Sequence, residues 1–178
     1  MTVTNANYTD PPDQNGQSHV CTAVIDGQTM SNIVLAVPTF WSEQVNAWIA
    51  AGNTPTPAPA PSAAQTAAMQ YAAAVAAGLT VTWTVSATLN GTYALDPTTQ
   101  FNMTAETVSL VTNSVFTNGQ STRNWPTLSG TFLSFTVAQF KALATAIALY
   151  LDQLASAQAT AAAGQSTAWP SASVTING

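Results

Sequence analysis

The chain has 178 residues, of which 47% are apolar and 5% are charged, and its formal net charge is −5. This length and apolar fraction suit one ordinary domain, or a small domain with an appended module, built around a hydrophobic core. Arg123 and Lys141 are the two basic residues. They are too few to neutralise the phosphates of a nucleic acid, so nucleic-acid binding is excluded as a main function. Typical domains carry about a quarter charged residues, so a surface this uncharged favours permanent assembly or life in harsh media.

The N-terminal residues lack the basic region and apolar run of a signal peptide, and no segment of about 20 apolar residues occurs. We therefore expect synthesis in a cytosol and no insertion into a membrane. The single cysteine, Cys21, has no partner for an internal disulfide and no companion at metal-binding spacing. We interpret it as a small buried hydrophobic residue.

The first third of the chain predicts an arm followed by a small module. Residues 1–18 are polar and contain turn signals, which predicts a flexible arm. Residues 19–52 predict an attachment module, in which two strands joined by a hairpin turn at Asp26-Gly27 precede a helix over Thr39–Ala51. The candidate interface residues of this helix are Phe40, Trp41 and Trp48, because aromatic side chains often anchor interfaces.

The next two segments connect this module to the rest of the chain. Residues 53–61 carry Pro at alternate positions, which predicts a semi-rigid spacer in the polyproline II conformation. Residues 62–78 predict an Ala-rich helix whose small side chains permit close packing against a neighbouring element or chain. Association of this helix with copies of itself would suit a symmetric homo-oligomer.

A C-terminal domain is predicted over residues 79–164. Leu79–Leu89 alternates like a strand, and the dipeptide Asn90-Gly91 predicts a hairpin turn after it. Asp96 followed by Pro97 predicts the start of a helix. The apolar residues of this helix at helical spacing are Phe101, Ala105, Val108, Val111 and Val115.

A second hairpin and a long helix complete this domain. The hairpin is predicted from Ser121–Trp125 and Thr131–Phe135. The helix is predicted over Thr136–Gly164, with a capping box at its start and a glycine at its end. Its apolar side is formed by Phe140, Leu143, Ile147, Tyr150, Leu151 and Leu154. Residues 165–178 predict a polar tail, in which Ser173–Ile176 could form an edge strand.

These elements predict an α+β fold. It consists of a small N-terminal hairpin–helix module, a Pro-rich spacer, and a C-terminal domain of two β-hairpins packed on two helices.

The residues offer no recognisable catalytic, cofactor-binding or metal-binding motif, so we expect none of these sites. His19 lies beside the first predicted strand without a sequence-near catalytic constellation. Asp96 and Glu106 are the one pair of acids that could converge as in a glycosidase, although a helix cap and a solvated face are their ordinary roles. Trp125 lies beside Pro126 in a predicted loop and is a candidate exposed contact for a glycan.

Several short motifs carry a family resemblance. Leu89–Asp96 reads Leu-Asn-Gly-Thr-Tyr-Ala-Leu-Asp, and it is followed by Arg123-Asn124-Trp125, Ser129-Gly130-Thr131 and Phe135-Thr136. In this order they resemble an uncharacterised domain of tailed-phage and prophage proteins, common in tail-fibre and tail-associated reading frames. The segment Trp48–Pro55 resembles the stretch that often precedes this domain, so the resemblance covers roughly residues 40–160. The hairpin loop departs from the family pattern, because it lacks an acidic residue.

The resemblance implies a non-enzymatic structural component of a tailed-bacteriophage virion, in the tail fibre or tail tip. It implies other phage structural proteins as partners, and production in the bacterial cytoplasm before incorporation into the virion. A capsid decoration protein or a head fibre is an alternative within the same class. Alternatives of another class are a glycan-binding adhesion module, which would contact a host-surface glycan, and a fibre-assembly chaperone.

Overall fold

The computed structural model describes residues 2–10 and 19–177. The chain divides into two compact units, Met1–Ser62 and Ala63–Gly178. Both units contain helices and strands, so the predicted α+β class is confirmed.

The first unit is an antiparallel sheet with one helix. Its strands are β1 (Val3–Tyr8), β2 (Val20–Ile25) and β3 (Gln28–Val34), in that order across the sheet, and the helix is α1 (Phe40–Ala50). The predicted hairpin between β2 and β3 is confirmed, and its turn residues Asp26 and Gly27 have φ angles of 49° and 79°. Both residue types tolerate positive φ, which explains why this dipeptide forms the turn.

The predicted flexible arm over residues 1–18 is wrong for Val3–Tyr8. This segment is the strand β1, which pairs antiparallel with β2, and its residues Val3 and Ala6 are buried in the core of the first unit. The polar side chains suggested an arm because a strand held by backbone hydrogen bonds needs only a few apolar side chains on one face. Residues 11–18 of the predicted arm lie outside the described residues.

The predicted spacer over residues 53–61 is bound at its beginning to β1. The N–H of Tyr8 donates to the carbonyl of Thr56, and the N–H of Thr56 donates to the carbonyl of Ala6, both at 2.9 Å. Pro55 beside it is buried. The alternation of Pro with other residues makes this possible, because Thr56 keeps the N–H that proline lacks.

The second unit contains three longer helices and two small sheets. The helices are α2 (Ala63–Ala77), α3 (Pro97–Thr112) and α4 (Val137–Ala162). The strands are β4 (Leu79–Trp83), β5 (Gly91–Tyr93), β6 (Thr122–Pro126), β7 (Phe132–Thr136) and β8 (Ser173–Ile176). One sheet has the order β5–β4–β8 and the other is the hairpin β6–β7.

The boundaries predicted for the C-terminal domain, 79–164, are too narrow. The strand β8 is an edge strand as predicted, but it pairs in parallel with β4, with Val81 opposite Val174. The predicted tail therefore contributes a strand to the fold. The helix α2, predicted as a separate connector, belongs to the same compact unit.

The hairpin turn predicted at Asn90-Gly91 is wrong. The strand β4 ends at Trp83, a short 3₁₀ helix follows at Ala87–Leu89, and Gly91 is already paired with Val81. The side-chain oxygen of Asn90 instead accepts a hydrogen bond from the N–H of Trp83 at 2.7 Å. The glycine is needed for space, since a Cβ at position 91 would lie 2.9 Å from Cγ2 of Thr127.

The helix α4 supplies one side of the main core. Its predicted capping box is confirmed, because the hydroxyl of Thr136 accepts from the N–H of Gln139 and the Gln139 side chain accepts from the N–H of Thr136. The buried residues of α4 are Phe140, Leu143, Ile147, Tyr150, Leu154 and Ala157. Ring packing then joins the elements: Phe140 makes edge contacts with Phe116 and Trp125, at centroid distances of 5.3 and 5.1 Å.

Tyr93 anchors the short strand β5 in this core. The residue is fully buried, and its hydroxyl donates to the carbonyl of Leu89. Burial raises the pKa of Tyr93 to about 12, because the phenolate would lose its hydration inside the protein.

Gly78 links α2 to β4 at a place where a side chain does not fit. Its φ is +77°, and a Cβ there would lie 2.6 Å from the carbonyl oxygen of Tyr93. We predict that Gly78→Ala reduces the free energy of unfolding by roughly 1–3 kcal/mol more than Gly119→Ala. Gly119 is the matched control, because its φ is +75° but a Cβ there meets nothing within 4 Å. Urea unfolding of both variants measures the difference, and equal losses would contradict the steric argument.

Candidate functional site

The described residues contain no cluster of side chains typical of a metal centre. Within residues 2–10 and 19–177, no group of three or more His, Cys, Asp or Glu side chains is placed to hold a metal ion. In the same part of the chain, no helix combines the length and hydrophobicity needed to cross a bilayer. His19 lies just before β2, where its backbone N–H donates to the carboxylate of Asp10 at 2.7 Å. This bond and the one from Val20 hold the pKa of Asp10 below its usual range.

The structure does not bring Asp96 and Glu106 together as a catalytic pair. Asp96 is the N-cap of α3, and its carboxylate accepts from the N–H groups of Thr98 and Thr99 and from the Thr99 hydroxyl. The bonds from Thr99 hold the pKa of Asp96 below its usual range. Glu106 lies ten positions further along the same helix, about 15 Å along its axis. Carboxylates that flank one glycosidic bond are closer than about 9.5 Å.

Glu106 instead forms a buried ion pair with Arg123. The Glu106 side chain is 3% exposed, and its Oε1 lies 3.0 Å from Nη2 of Arg123 on β6. Thr117 donates two further hydrogen bonds to the carboxylate. Its hydroxyl donates to Oε1 at 2.7 Å, and its N–H donates to Oε2 at 2.8 Å. The carboxylate is therefore held in place by three donors.

The apolar residues that the sequence places at helical spacing in α3 are not the buried ones. Phe101, Val108 and Val111 are 74%, 58% and 75% exposed. The buried residues of α3 are Met103, Glu106 and Leu110, which share one side at spacings of three, four and seven. The side that carries Glu106 therefore faces inward, where the buried carboxylate keeps its partners, and the side that carries Phe101, Val108 and Val111 faces outward.

The outward side of α3 forms one wall of an apolar groove. The groove has a volume of about 590 Å³ and lies between α3 and α4. Val108 and Val111 line it from α3, and Ala144 and Ala148 line it from α4. Lys141 is the one charged residue that lines it among the described residues. An exposed apolar groove of this kind is suited to contact another apolar surface.

Trp125 is not an exposed ligand contact. It lies in β6 with 5% of its surface exposed, and it packs on Phe140 in the core. The predicted exposure is wrong because the Trp125 ring faces the core from β6, which extends to Pro126, where the backbone pairs with Phe132 of β7. The aromatic ring is needed to fill the space between the hairpin and α4.

The predicted interface residues of α1 differ in their exposure. Phe40 is 52% exposed, whereas Trp41 and Trp48 are half-buried against the core of the first unit. Phe40 makes an edge contact with Trp41 at 4.9 Å between ring centroids. Val34 and Val37, which precede the helix, are also exposed. An interface at these residues stays a prediction.

Comparison of the chain with family models, with curated proteins and with solved structures found no match.

The buried ion pair predicts unequal effects of removing its two partners. Arg123→Met leaves the Glu106 carboxylate buried with only the Thr117 donors, so we expect the free energy of unfolding to fall by about 3–5 kcal/mol. Glu106→Gln leaves a cation whose side chain is 35% exposed and can be hydrated, so we expect a smaller loss of about 1–2 kcal/mol. Urea unfolding at neutral pH measures both values. Losses of equal size would contradict the claim that the Glu106 carboxylate depends on the ion pair more than the Arg123 guanidinium does.

Proposed function

We propose that the protein is a non-enzymatic structural component of a tailed-bacteriophage virion, in the tail fibre or tail tip. It acts through self-assembly and attachment to other phage structural proteins. It is made in the bacterial cytoplasm and incorporated into the particle. The phage assignment rests on the resemblance of Leu89–Asp96 and the motifs that follow it.

The observation that carries the structural role is that α3 is apolar on two sides. One side of α3 is covered within this chain, but Phe101, Val108 and Val111 are left exposed. Burial of these side chains in an assembly would remove them from water, at roughly 25 cal/mol for each Å² of apolar surface.

The scarcity of charge supports the same role. With two basic and seven acidic residues in 178, neighbouring copies meet with little repulsion and little desolvation of ions. Two of the acids have structural roles, because Asp96 caps a helix and Glu106 binds Arg123. In the first unit, the exposed residues Val34, Val37 and Phe40 offer a separate apolar surface for attachment.

Self-assembly predicts a mass in solution that depends on the outer side of α3. We expect the isolated chain to sediment as an oligomer, and we expect Val111→Asp to raise its dissociation constant at least about tenfold, because a carboxylate would be buried without a partner. Val85→Asp is the matched control, since Val85 lies outside the helices and is 76% exposed against 75% for Val111. A monomer at all concentrations, or equal effects of the two variants, would contradict self-assembly through α3.

The virion assignment predicts that the protein is present in purified phage particles. We expect quantitative mass spectrometry of particles from an induced culture of a bacterium that encodes the chain to find it in a fixed copy number. Separation of tails from heads distinguishes a tail protein from a capsid decoration protein or a head fibre. Detection in assembly intermediates but not in mature particles would instead identify an assembly chaperone. Accumulation only in cells that contain no phage would contradict a virion role.

A further inference from the structure

The helix α4 carries an exposed row of four residues beside the apolar groove. The row consists of Lys141, Thr145, Ala148 and Asp152, all exposed to solvent. Its two ends are eleven positions apart, which is close to three turns of an α-helix, so the four side chains lie on one side. The row has a cation at one end, an anion at the other, and two small side chains between them.

The charges at the two ends of this row have no partner in the part of the chain that the structure describes. Of the two basic residues, Arg123 is bound to Glu106, and Lys141 is the other. Neither Lys141 nor Asp152 takes part in an ion pair within residues 2–10 and 19–177. In a chain with so few charges, one free cation and one free anion therefore share a single side of the longest helix.

We infer that a second copy of this chain packs its α4 antiparallel along this row, in a symmetric dimer contact. This inference rests on the proposed self-assembly and specifies that α4 of a second copy forms the contact. A twofold axis that passes beside Ala146 and Ile147 would place Lys141 of each copy opposite Asp152 of the other. The same operation places Thr145 opposite Ala148. Each contact occurs twice, as an isologous interface requires.

The side chains in and beside the row fit a helix as the occupant. Thr145 and Ala148 are small, so two helix axes could approach to about 8–10 Å. Lys141, Thr145 and Ala148 also line the groove whose opposite wall contains Val108 and Val111. A helix laid along the row would therefore cover the outer side of α3 as well. Leu149, which is 58% exposed, would lie at the margin of the contact.

The charge pattern favours a second copy over an unrelated partner. Opposite charges at the two ends of one row are self-complementary only when the partner helix runs antiparallel. Pairing in parallel would place Lys141 against Lys141 and Asp152 against Asp152. The pattern therefore selects both the partner and its direction, in the way that charged positions beside a helix seam select pairing in coiled coils.

A charge exchange tests this arrangement. Lys141→Asp gives two acids in the row, and Asp152→Lys gives two lysines, so each variant alone would place like charges opposite each other at both ends. We expect each to raise the dissociation constant of the dimer contact at least about tenfold in sedimentation equilibrium at low salt. We expect the double variant with both changes to return to within about threefold of the original chain.

Mixing the two single variants provides a second and independent readout. An equimolar mixture of Lys141→Asp and Asp152→Lys chains would pair opposite charges at both ends, so we expect a mixed dimer at concentrations where each variant alone is monomeric. Glu43→Lys is the matched control. It makes the same change of charge at an exposed acid of α1 in the first unit, and we expect it to leave the dissociation constant unchanged. Circular dichroism checks that each variant keeps its helical content.

The possible outcomes separate this inference from the proposed function. If the single variants dimerise like the original chain, or if neither the double variant nor the mixture restores dimerisation, the antiparallel arrangement is wrong. If Val111→Asp still raises the dissociation constant in that case, self-assembly through α3 stands. The surface that contacts α3 is then not the row on α4. If the original chain is monomeric throughout, both the arrangement and self-assembly are wrong.

Discussion

The ion pair between Glu106 and Arg123 joins α3 to β6 on the side of α3 that faces the core. A carboxylate that is almost fully buried must keep its donors, and these come from β6 and from Thr117 in the segment between α3 and β6. Once Glu106 faces inward, Met103 and Leu110 follow it, because they share its side of the helix. Phe101, Val108 and Val111 are then turned toward the outside. Val108 and Val111 thereby form the exposed apolar wall of the groove.

The few charges of this chain act locally. Arg123 is used inside the second unit, where it fixes the register of a helix against a hairpin. Asp96 is used at a helix start, and Asp10 binds two backbone N–H groups at the start of β2. Lys141 and Asp152 remain on the surface of α4. In the arrangement that we infer, this pair of opposite charges orients two copies against a weak background field.

Sequence reasoning succeeded where a short segment contains the whole physical cause. The Asp26-Gly27 turn depends on two residues that tolerate positive φ, and both have it. The start of α4 depends on a reciprocal pair of hydrogen bonds between Thr136 and Gln139, and the start of α3 depends on Asp96 and Pro97. It failed for the Asn90-Gly91 turn, because a glycine that fits a tight turn also fits a strand that passes close to Thr127.

The sequence by itself determined the class of the fold, most of the helix starts, and the buried side of α4, because each follows from local hydrogen bonding or from one unambiguous apolar stripe. Only the tertiary structure decided which side of α3 is buried, since that helix carries two stripes, and Arg123, the partner of Glu106, lies on another element. Tertiary packing also placed Trp125 in the core and paired β8 in parallel with β4. These are contacts between segments distant in sequence, and no local pattern encodes which segments will meet.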